Sequence, residues 1–248
     1  MNADEYTNLE RVERDHWYYA GKRELVSAWL ERCGPVRPEH TLIDCGAGTG
    51  IFAQEMAARC KVYVLDDHEE SIRILRTRFS EERILRVSGT GIPLPDGAVD
   101  YLTALDVLEH IEHDAAAADE FARVLRPGGS AVITVPASMA LWSDWDVALH
   151  HFRRYDRARL VALFDPAKWE LLHVNYTNVV AFPAVWAIRR WRSLRAPRAG
   201  APVHRTEDAV PASPVNALLR RVFVGLGKVR GVRFPFGVSL ILVARRRA

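Results

Sequence analysis

The clearest chemical signal in this sequence is an acidic residue followed by three alternating glycines. The pattern Asp-x-Gly-x-Gly-x-Gly comprises Asp44, Gly46, Gly48 and Gly50, with Cys45 and Ala47 between them. Glycine lets a ligand approach the backbone closely, and the free N–H groups that open the following helix attract a carboxylate or phosphate. Asp44 can accept a hydrogen bond from an ammonium group. The turn therefore predicts a site for a ligand that carries both groups, such as an amino acid.

A second acidic residue stands where the next strand is expected to end. Asp66 follows Asp44 by 22 positions, and an acid at that strand tip can accept hydrogen bonds from both ribose hydroxyls. Asp67 can assist it, although a solvated acid at a helix start is the simpler interpretation of Asp67. Dinucleotide enzymes use the same arrangement, but their glycine spacing is GxGxxG, and position 51 here is Ile. The spacing therefore favours S-adenosylmethionine over a dinucleotide.

Short apolar runs alternate with helical patterns along the chain. The strands and helices that these patterns predict must position the glycine turn and the two acidic residues. Strands are predicted at residues 41–45, 62–65, 84–87, 99–105, 130–135, 169–176 and 238–244. Helices are predicted at residues 6–32, 69–79, 113–125, 157–164 and 215–229, with another through Phe52 and Met56. Residues 195–214, rich in Pro, Ala and Arg, predict an exposed loop. The alternation predicts a doubly wound α/β fold with a mainly parallel sheet.

Three further segments complete a resemblance to the class I, seven-stranded S-adenosylmethionine-dependent methyltransferases. Residues 92–100 resemble the family's LPFPDGSFD segment, residues 106–111 its VLEH segment, and residues 123–129 its RVLKPGG turn. The resemblance implies a Rossmann-like sheet of order 3-2-1-4-5-7-6, with the last strand antiparallel. It implies S-adenosylmethionine as cofactor and S-adenosylhomocysteine as product. The implied cofactor contacts are Asp44, Cys45, Gly46, Ala47, Gly48, Gly50, Asp66, Asp67, Thr90, Gly91 and Leu105. Thr90 replaces the Asp that the family usually has there to meet the adenine amino group.

Two more segments point to the acceptor side of a bacterial, type-11-like branch of this family. Residues 15–23 resemble its HWWFxGRR element, and residues 151–155 match its HxRRY element. The resemblance implies that Trp17, Tyr18 and Tyr19 cover the site and that His151, Arg154 and Tyr155 line it.

The acceptor-side residues suggest specific chemistry. Because histidine is poised near neutral pH, His151 is the candidate base or acceptor orienter, and His110 is a weaker catalytic candidate. Arg154 can pair with an acceptor carboxylate or phosphate. The alternative is a structural network that ties this loop to Asp144, Asp146 or Asp156.

Composition limits the class of protein. The chain has 248 residues, of which 49% are hydrophobic, typical of a folded domain. Three cysteines without a CxxC pair predict neither a disulfide framework nor a zinc site, and no metal is expected. The polar N-terminus predicts no signal peptide. The longest apolar stretch, residues 179–188, is about half the roughly 20 residues of a membrane span. We therefore expect a cytoplasmic protein, with peripheral membrane contact as an open alternative.

The charge is distributed unevenly along the chain. Residues 1–140 contain 15 basic and 24 acidic side chains, whereas residues 141–248 contain 19 basic and 7 acidic ones. This asymmetry suggests an anionic acceptor or surface for the C-terminal part, and Arg189, Arg190 and Arg192 are the expected contacts. We divide the chain into an N-terminal helical lid (1–40), a cofactor-binding core (41–176), an acceptor-side helical insertion (177–236) and a final strand with a basic tail (237–248).

Four functions remain open at this stage. The leading one is methyl transfer to a small or amphipathic acceptor, and a lipid-linked acceptor at a membrane surface is the second. A nucleic-acid methyltransferase is disfavoured because residues 104–107, Ala-Leu-Asp-Val, lack the [DN]PP[FY] element that grips a base. The fourth is a cofactor-binding regulator without turnover. The sequence leaves the acceptor atom and the oligomeric state open.

Overall fold

Seven strands form one mixed sheet in the order β3-β2-β1-β4-β5-β7-β6. The computed structural model describes residues 3–87, 91–194 and 209–248. β7 runs antiparallel to both β5 and β6, and the remaining neighbours are parallel. The predicted fold class and strand order are therefore confirmed. The strands are β1 (Thr41–Cys45), β2 (Lys61–Asp66), β3 (Ile84–Arg86), β4 (Val99–Leu105), β5 (Leu125–Pro136), β6 (Trp169–Thr177) and β7 (Ser239–Arg246).

Helices cover both faces of the sheet. They are α1 (Ala3–Val12), α2 (Trp17–Cys33), α3 (Ile51–Ala57), α4 (Glu69–Leu75), α5 (Asp114–Val124), α6 (Asp144–Ala148), α7 (Arg157–Ala162), α8 (Phe182–Leu194) and α9 (Ser213–Gly227). The continuous helix predicted over residues 6–32 is wrong, because the chain breaks between α1 and α2. His16 caps α2 there, and its Nδ1 accepts a hydrogen bond from the Tyr18 N–H at 3.3 Å. Residues 195–208 of the predicted loop lie outside the described residues.

Two apolar clusters, one on each side of the sheet, form the core. One contains the fully buried Trp169 and Tyr155 and includes apolar side chains of α5. The other contains Leu25 and Trp29 of α2 together with Phe223 and Val224 of α9. The C-terminal helix α9 therefore packs directly on the N-terminal helix α2, and the two ends of the chain close over the same face of the sheet. Within the described residues, no helix combines the length and apolar character needed to span a membrane.

The α2–α9 contact gives a prediction with a control in the same helix. A Cβ at Gly227 would lie 2.6 Å from Leu25 Cδ2, whereas a Cβ at the exposed Gly225 would meet nothing within 4 Å. We expect Gly227→Ala to lower the free energy of unfolding by about 1–3 kcal/mol through overpacking. Gly225→Ala should raise it by about 0.5–1 kcal/mol, since alanine is the better helix former. Urea denaturation checks both, and equal effects of the two substitutions would contradict the packing argument.

Candidate active site

The glycine turn joins β1 to α3 at the carboxyl edge of the sheet. All three glycines of the turn have left-handed φ values, between 58° and 76°. A Cβ at Gly46 would lie 2.5 Å from Val107 Cγ2, so this turn can pass below Val107 only without a side chain. The Gly46 N–H donates to the Leu65 carbonyl at 2.7 Å. The turn is thereby held between the ends of β2 and β4, and Cys45, which precedes it, is buried.

Asp44 is buried at the end of β1. Its Oδ1 accepts a hydrogen bond from the Thr103 hydroxyl of β4 at 2.6 Å. Burial raises the pKa of Asp44 to about 7, a rise that the Thr103 hydrogen bond reduces and the charge of Asp66 increases. A bound ammonium group would favour the ionised carboxylate. The geometry is therefore suited to the predicted ammonium partner.

Asp66 connects the end of β2 to the glycine turn. Its Oδ2 accepts from the Gly48 N–H at 2.9 Å, and its Oδ1 accepts from the His68 N–H at 3.0 Å. Asp67 is exposed. Sequence reasoning missed Tyr6 of α1, whose buried side chain stacks on His68 with ring centroids 5.0 Å apart. Burial, and after it the charge of Asp66, raise the pKa of Tyr6.

The N-terminal segment is anchored to the glycine turn by polar contacts that sequence reasoning also missed. The largely buried Glu13 accepts a hydrogen bond from the Thr49 hydroxyl. Arg78 donates to the Thr49 carbonyl and pairs with Glu10 of α1 at 2.8 Å. The segment before α2 therefore contacts the turn, although nothing in the residue spacing of Glu13 or Glu10 indicated these partners.

The aromatic start of α2 packs against the C-terminal insertion. The Trp17 N–H donates to Asn216 Oδ1 at 2.8 Å, and the Trp17 ring lies 6.0 Å from Phe223 of α9. The Tyr18 hydroxyl lies 3.0 Å from Ser239 Oγ. Tyr19 stacks on Tyr18 with ring centroids 5.4 Å apart. All three aromatic side chains are half-buried, and the cover is thus built jointly by α2 and α9.

Lys22 and Asp106 form an ion pair beneath this aromatic cover. Asp106 follows β4 with a left-handed φ of 57°, and its Oδ1 accepts from the Thr134 hydroxyl at 3.0 Å. Although burial opposes ionisation, the charge of Lys22 holds the pKa of Asp106 below its usual value. Lys22 lies in the segment that resembles HWWFxGRR. That resemblance could have pointed to Lys22 as a site residue, but it did not indicate Asp106 as its partner.

His151 is oriented by a buried carboxylate from α6. His151 Nδ1 lies 2.9 Å from Asp146 Oδ1, and Asp146 is fully buried. Burial opposes ionisation of Asp146, but the hydrogen bond to His151 and the charge of Arg154 outweigh it and lower the pKa to about 2. Asp146 is therefore a permanent anion at neutral pH, and it fixes the plane of the His151 ring.

Arg154 and Tyr155 are both buried, but their side chains pair with different carboxylates. Arg154 Nε donates to Asp146 Oδ1 at 2.7 Å, and Arg154 is 4% exposed. The Tyr155 hydroxyl donates to Asp114 at 2.8 Å and the residue is fully buried. Arg154 thus takes part in a network on Asp146, as the alternative interpretation predicted, whereas Tyr155 pairs with Asp114. That either side chain lines the acceptor site stays a prediction.

Arg189 of α8 is directed to the same carboxylate. It is 9% exposed, donates to the Leu141 carbonyl at 2.5 Å and lies 3.6 Å from Asp146 Oδ2. Its predicted contact with an anionic acceptor or surface is therefore wrong, because the charge points inward. Arg190 is exposed, and the side chain of Arg192 lies outside the described residues.

Glu109 and His110 follow β4 and face His151. The His110 and His151 rings lie 4.6 Å apart and nearly perpendicular. Burial, with a smaller effect of His151, lowers the pKa of His110 to about 4, so this ring is neutral at pH 7. Glu109 is fully buried, and burial raises the pKa of its carboxyl group well above the usual value. The Phe152 N–H donates to the Glu109 carbonyl at 2.8 Å, which joins the two segments.

The remaining predicted cofactor contacts are distributed around this edge. Leu105 ends β4 and is half-buried, whereas Gly91 is exposed. Ala47 lies in the turn, and its N–H donates to the Leu65 carbonyl at 3.1 Å. Thr90 lies outside the described residues. The structure thus brings together the ends of β1, β2 and β4, as the strand pattern predicted.

Comparison with known proteins identifies this arrangement. Residues 43–133 match a family model described as "Methyltransferase domain". A "Probable S-adenosylmethionine-dependent methyltransferase" of Mycolicibacterium smegmatis is 30% identical over 165 residues, 64% of this chain and 62% of that protein. An "Uncharacterized methyltransferase" of Mycolicibacterium gilvum is 29% identical over 151 residues, 58% of this chain and 59% of that protein. The chain thus spans about three fifths of the length of the curated relatives it matches.

The fold has relatives among solved structures. A SAM-dependent methyltransferase from Thermotoga maritima superposes with a TM-score of 0.61 and 15% sequence identity, covering 98% of this chain and 94% of that one. At this identity the likeness concerns the fold alone.

The buried Asp146 network gives the prediction for this site. We expect Asp146→Asn to lower the free energy of unfolding at pH 7 by about 3–5 kcal/mol, because Arg154 would remain buried without its anion. The loss should shrink as the pH falls from about 4 towards 2, where Asp146 of the unsubstituted chain is itself protonated. Urea denaturation across this pH range measures both effects.

Asp144→Asn is the matched control for Asp146→Asn. Asp144 lies in the same helical turn but is exposed. Its substitution should cost less than about 1 kcal/mol. A similar loss for the two variants would contradict the argument from burial.

Proposed function

We propose that this chain, whose central domain is a class I S-adenosylmethionine-dependent methyltransferase domain, transfers the methyl group of S-adenosylmethionine to a small or amphipathic acceptor. In this proposal His151 orients the acceptor or takes its proton. The observation that carries the proposal is the His151 ring, which is held by Asp146 and stands beside His110, one of the residues that follow β4. Reactions of this kind require the acceptor to be aligned with the methyl group and water to be excluded.

The residues at the carboxyl edge fit the proposed cofactor. S-adenosylmethionine supplies an electrophilic methyl group on a sulfonium, and it carries an amino acid, a ribose and an adenine. Asp44 would hold the ammonium group and Asp66 the ribose hydroxyls. Each carboxylate is buried, and both are anchored by hydrogen bonds to neighbouring strands or turns, so their positions are fixed before a ligand arrives.

His151 has the features of a base or an orienting group. When its Nδ1–H donates to the ionised Asp146, its Nε2 carries a lone pair and can accept a proton from an acceptor hydroxyl. Tyr18 and Tyr19 cover the adjacent Lys22–Asp106 pair and limit the access of water. These features support oxygen as the methylated atom, although the same ring could orient a nitrogen acceptor.

Apolar side chains around the site support an amphipathic acceptor. Phe152 lies within the HxRRY segment, Met139 contacts that segment at the Arg154 N–H, and the two side chains are 53% and 56% exposed. Helix α8 packs on the turn at Met139 and exposes Trp186 and Ile188. Exposed aromatic side chains beside arginines are typical of segments that contact membrane interfaces. A lipid-linked acceptor is therefore the second candidate.

The pKa of Asp44 predicts how cofactor affinity depends on pH. A cationic ammonium group binds best to an ionised carboxylate. Because the pKa of Asp44 without ligand is about 7, the affinity for the cofactor should fall in acid. We expect S-adenosylhomocysteine, which keeps the ammonium group, to bind about fivefold more weakly at pH 6 than at pH 7 and to change little above pH 8. Calorimetric titration at several pH values measures this dependence.

Two controls assign the pH dependence to Asp44. Asp44→Asn should weaken binding and remove the dependence. In the unsubstituted chain, 5′-methylthioadenosine, which lacks the amino acid part, should bind with equal affinity at both pH values. A flat profile for S-adenosylhomocysteine would show that Asp44 does not meet the ammonium group.

Methyl transfer itself is tested with radiolabelled S-adenosylmethionine and a pooled panel of acceptors. One arm contains water-soluble acceptors, and the other contains lipids in anionic vesicles, so the two candidate functions give different results. We expect His151→Asn to lower the transfer rate by about 100-fold, because Asn keeps a donor at the position of Nδ1 but lacks Nε2. The affinity for S-adenosylhomocysteine should remain unchanged.

His150→Asn applies the same substitution to the exposed neighbouring residue, and it should transfer methyl groups at the unsubstituted rate. Cofactor binding without transfer of the methyl group to any acceptor in either arm would favour a cofactor-binding regulator over an enzyme. Equal rates for His150→Asn and His151→Asn would remove His151 from the mechanism.

A further inference from the structure

We infer that Glu109, His110 and His151 form a binding site for a divalent first-row transition metal, with Zn²⁺ as the representative ion. These residues follow β4 and β5, and the sequence analysis placed no metal there. Two histidines and one carboxylate are a donor set that zinc and non-haem iron sites use. Metal binding here does not require methyl transfer, but an ion bound to His151 Nε2 would replace the role of that nitrogen as a proton acceptor.

The three side chains already converge. One nitrogen from each histidine and one carboxylate oxygen of Glu109 all lie within 4.8 Å of one another. Ligand atoms around a tetrahedral zinc ion lie about 3.4 Å apart, given metal–ligand distances near 2.1 Å. Each ligand atom would therefore move by less than about 1 Å, which side-chain rotation alone can provide.

The carboxylate of Glu109 supplies a second, independent observation. Glu109 is fully buried, and among the described residues neither of its carboxylate oxygens has a hydrogen-bond partner on another residue. A buried carboxyl group without a partner is costly and uncommon in folded proteins. The cations nearest to it, Lys22 and Arg154, are each paired with another carboxylate, Asp106 and Asp146 respectively. A metal ion would give Glu109 the partner that the protein does not provide.

The environment of His151 is that of a metal ligand held in place by a neighbouring carboxylate. Asp146 occupies the Nδ1 side of the ring at 2.9 Å and leaves Nε2 as the nitrogen available to a metal. Carboxylate–histidine–metal arrangements of this kind fix the ring and raise its basicity. Asp146 is in turn anchored by Arg154 at 2.7 Å and by the Ser143 N–H at 2.9 Å. The orienting group is therefore more rigid than the ligand it positions.

Three protein ligands leave at least one coordination position for another molecule. Sites with an open position bind water or a substrate oxygen, whereas closed four-ligand sites are structural. Resting on the proposed function, this position would take a hydroxyl or carboxylate oxygen of the acceptor. The acceptor class would then be an oxygen compound rather than an amine.

Metal binding is tested on the full chain without an affinity tag, stripped of metal by a chelator and free of cofactor and acceptor. After Zn²⁺ is added back to the stripped chain and unbound ion is removed by gel filtration, we expect elemental analysis to find one Zn²⁺ per chain. Titration of the stripped chain with Co²⁺ should give the visible absorption of tetrahedral cobalt. Glu109→Gln and His110→Asn should each weaken Co²⁺ binding by at least about tenfold. His150→Asn, next to the site but outside it, should bind as the unsubstituted chain does.

The readout separates this inference from the proposed function, because metal binding is measured without methyl transfer. Urea denaturation of each variant shows whether it is folded, and Glu109→Gln preserves the size of the buried side chain. Failure of the unsubstituted chain to retain Zn²⁺ or bind Co²⁺ would overturn the site. The site would also be overturned if the folded Glu109→Gln and His110→Asn variants bound Co²⁺ as tightly as the unsubstituted chain, whatever the acceptor panel shows.

Discussion

The parallel pairing of β1 with β2 and β4 is the constraint on which the candidate site depends. Register places Cys45 beside Leu65 on one side and beside Ala104 on the other, so the residues that follow all three strands meet at one edge. Asp44 and Asp66 converge because their strands are neighbours. Val107 reaches the glycine turn because β4 ends on the opposite side of β1. The site is therefore a consequence of strand order, and the loops supply only its chemistry.

Much of the fold and of the cofactor half of the site could be predicted, because local signals encode both. Apolar runs predicted all seven strands, and the glycine spacing located the turn between β1 and α3. The position of Glu109 beside His151 could not be predicted, because the two residues are far apart along the chain, whereas Asp146 pairs with His151 and Arg154 within eight positions and was one of three acids expected there. His151 reaches Glu109 only through the pairing of β4 with β5. Periodicity also missed the break between α1 and α2, since His16 ends the helical pattern by a capping contact that hydrophobic spacing does not report.

The charge asymmetry of the sequence is explained in part by ion pairs within the chain. Glu24, in the acidic N-terminal part, pairs with Arg220 at 3.1 Å and with Lys228 at 3.5 Å. Arg189 turns inward to the carboxylate of Asp146. The exposed pairs of Glu24 with Arg220 and Lys228 contribute at most about 1 kcal/mol each, but they hold the basic insertion against the acidic N-terminal part of the chain. Part of the charge that suggested an external anion thus serves the contact between the two ends of the chain.

Two buried carboxylates on adjacent segments show how this fold separates structure from chemistry. Asp146 is surrounded by donors from α6, α8 and the HxRRY segment, so its ionised state is stabilised and its position is fixed. Glu109 is equally buried but lacks a hydrogen-bond partner on any other residue that the structure describes, although the charges of Arg154 and Lys22 influence it. A fold that satisfies one carboxylate and leaves its neighbour unsatisfied sustains a cost that packing does not recover. A fold can tolerate this cost where a bound ligand removes it. Glu109 lies beside His110 and His151, the two histidines that the sequence motifs indicated as candidate catalytic residues.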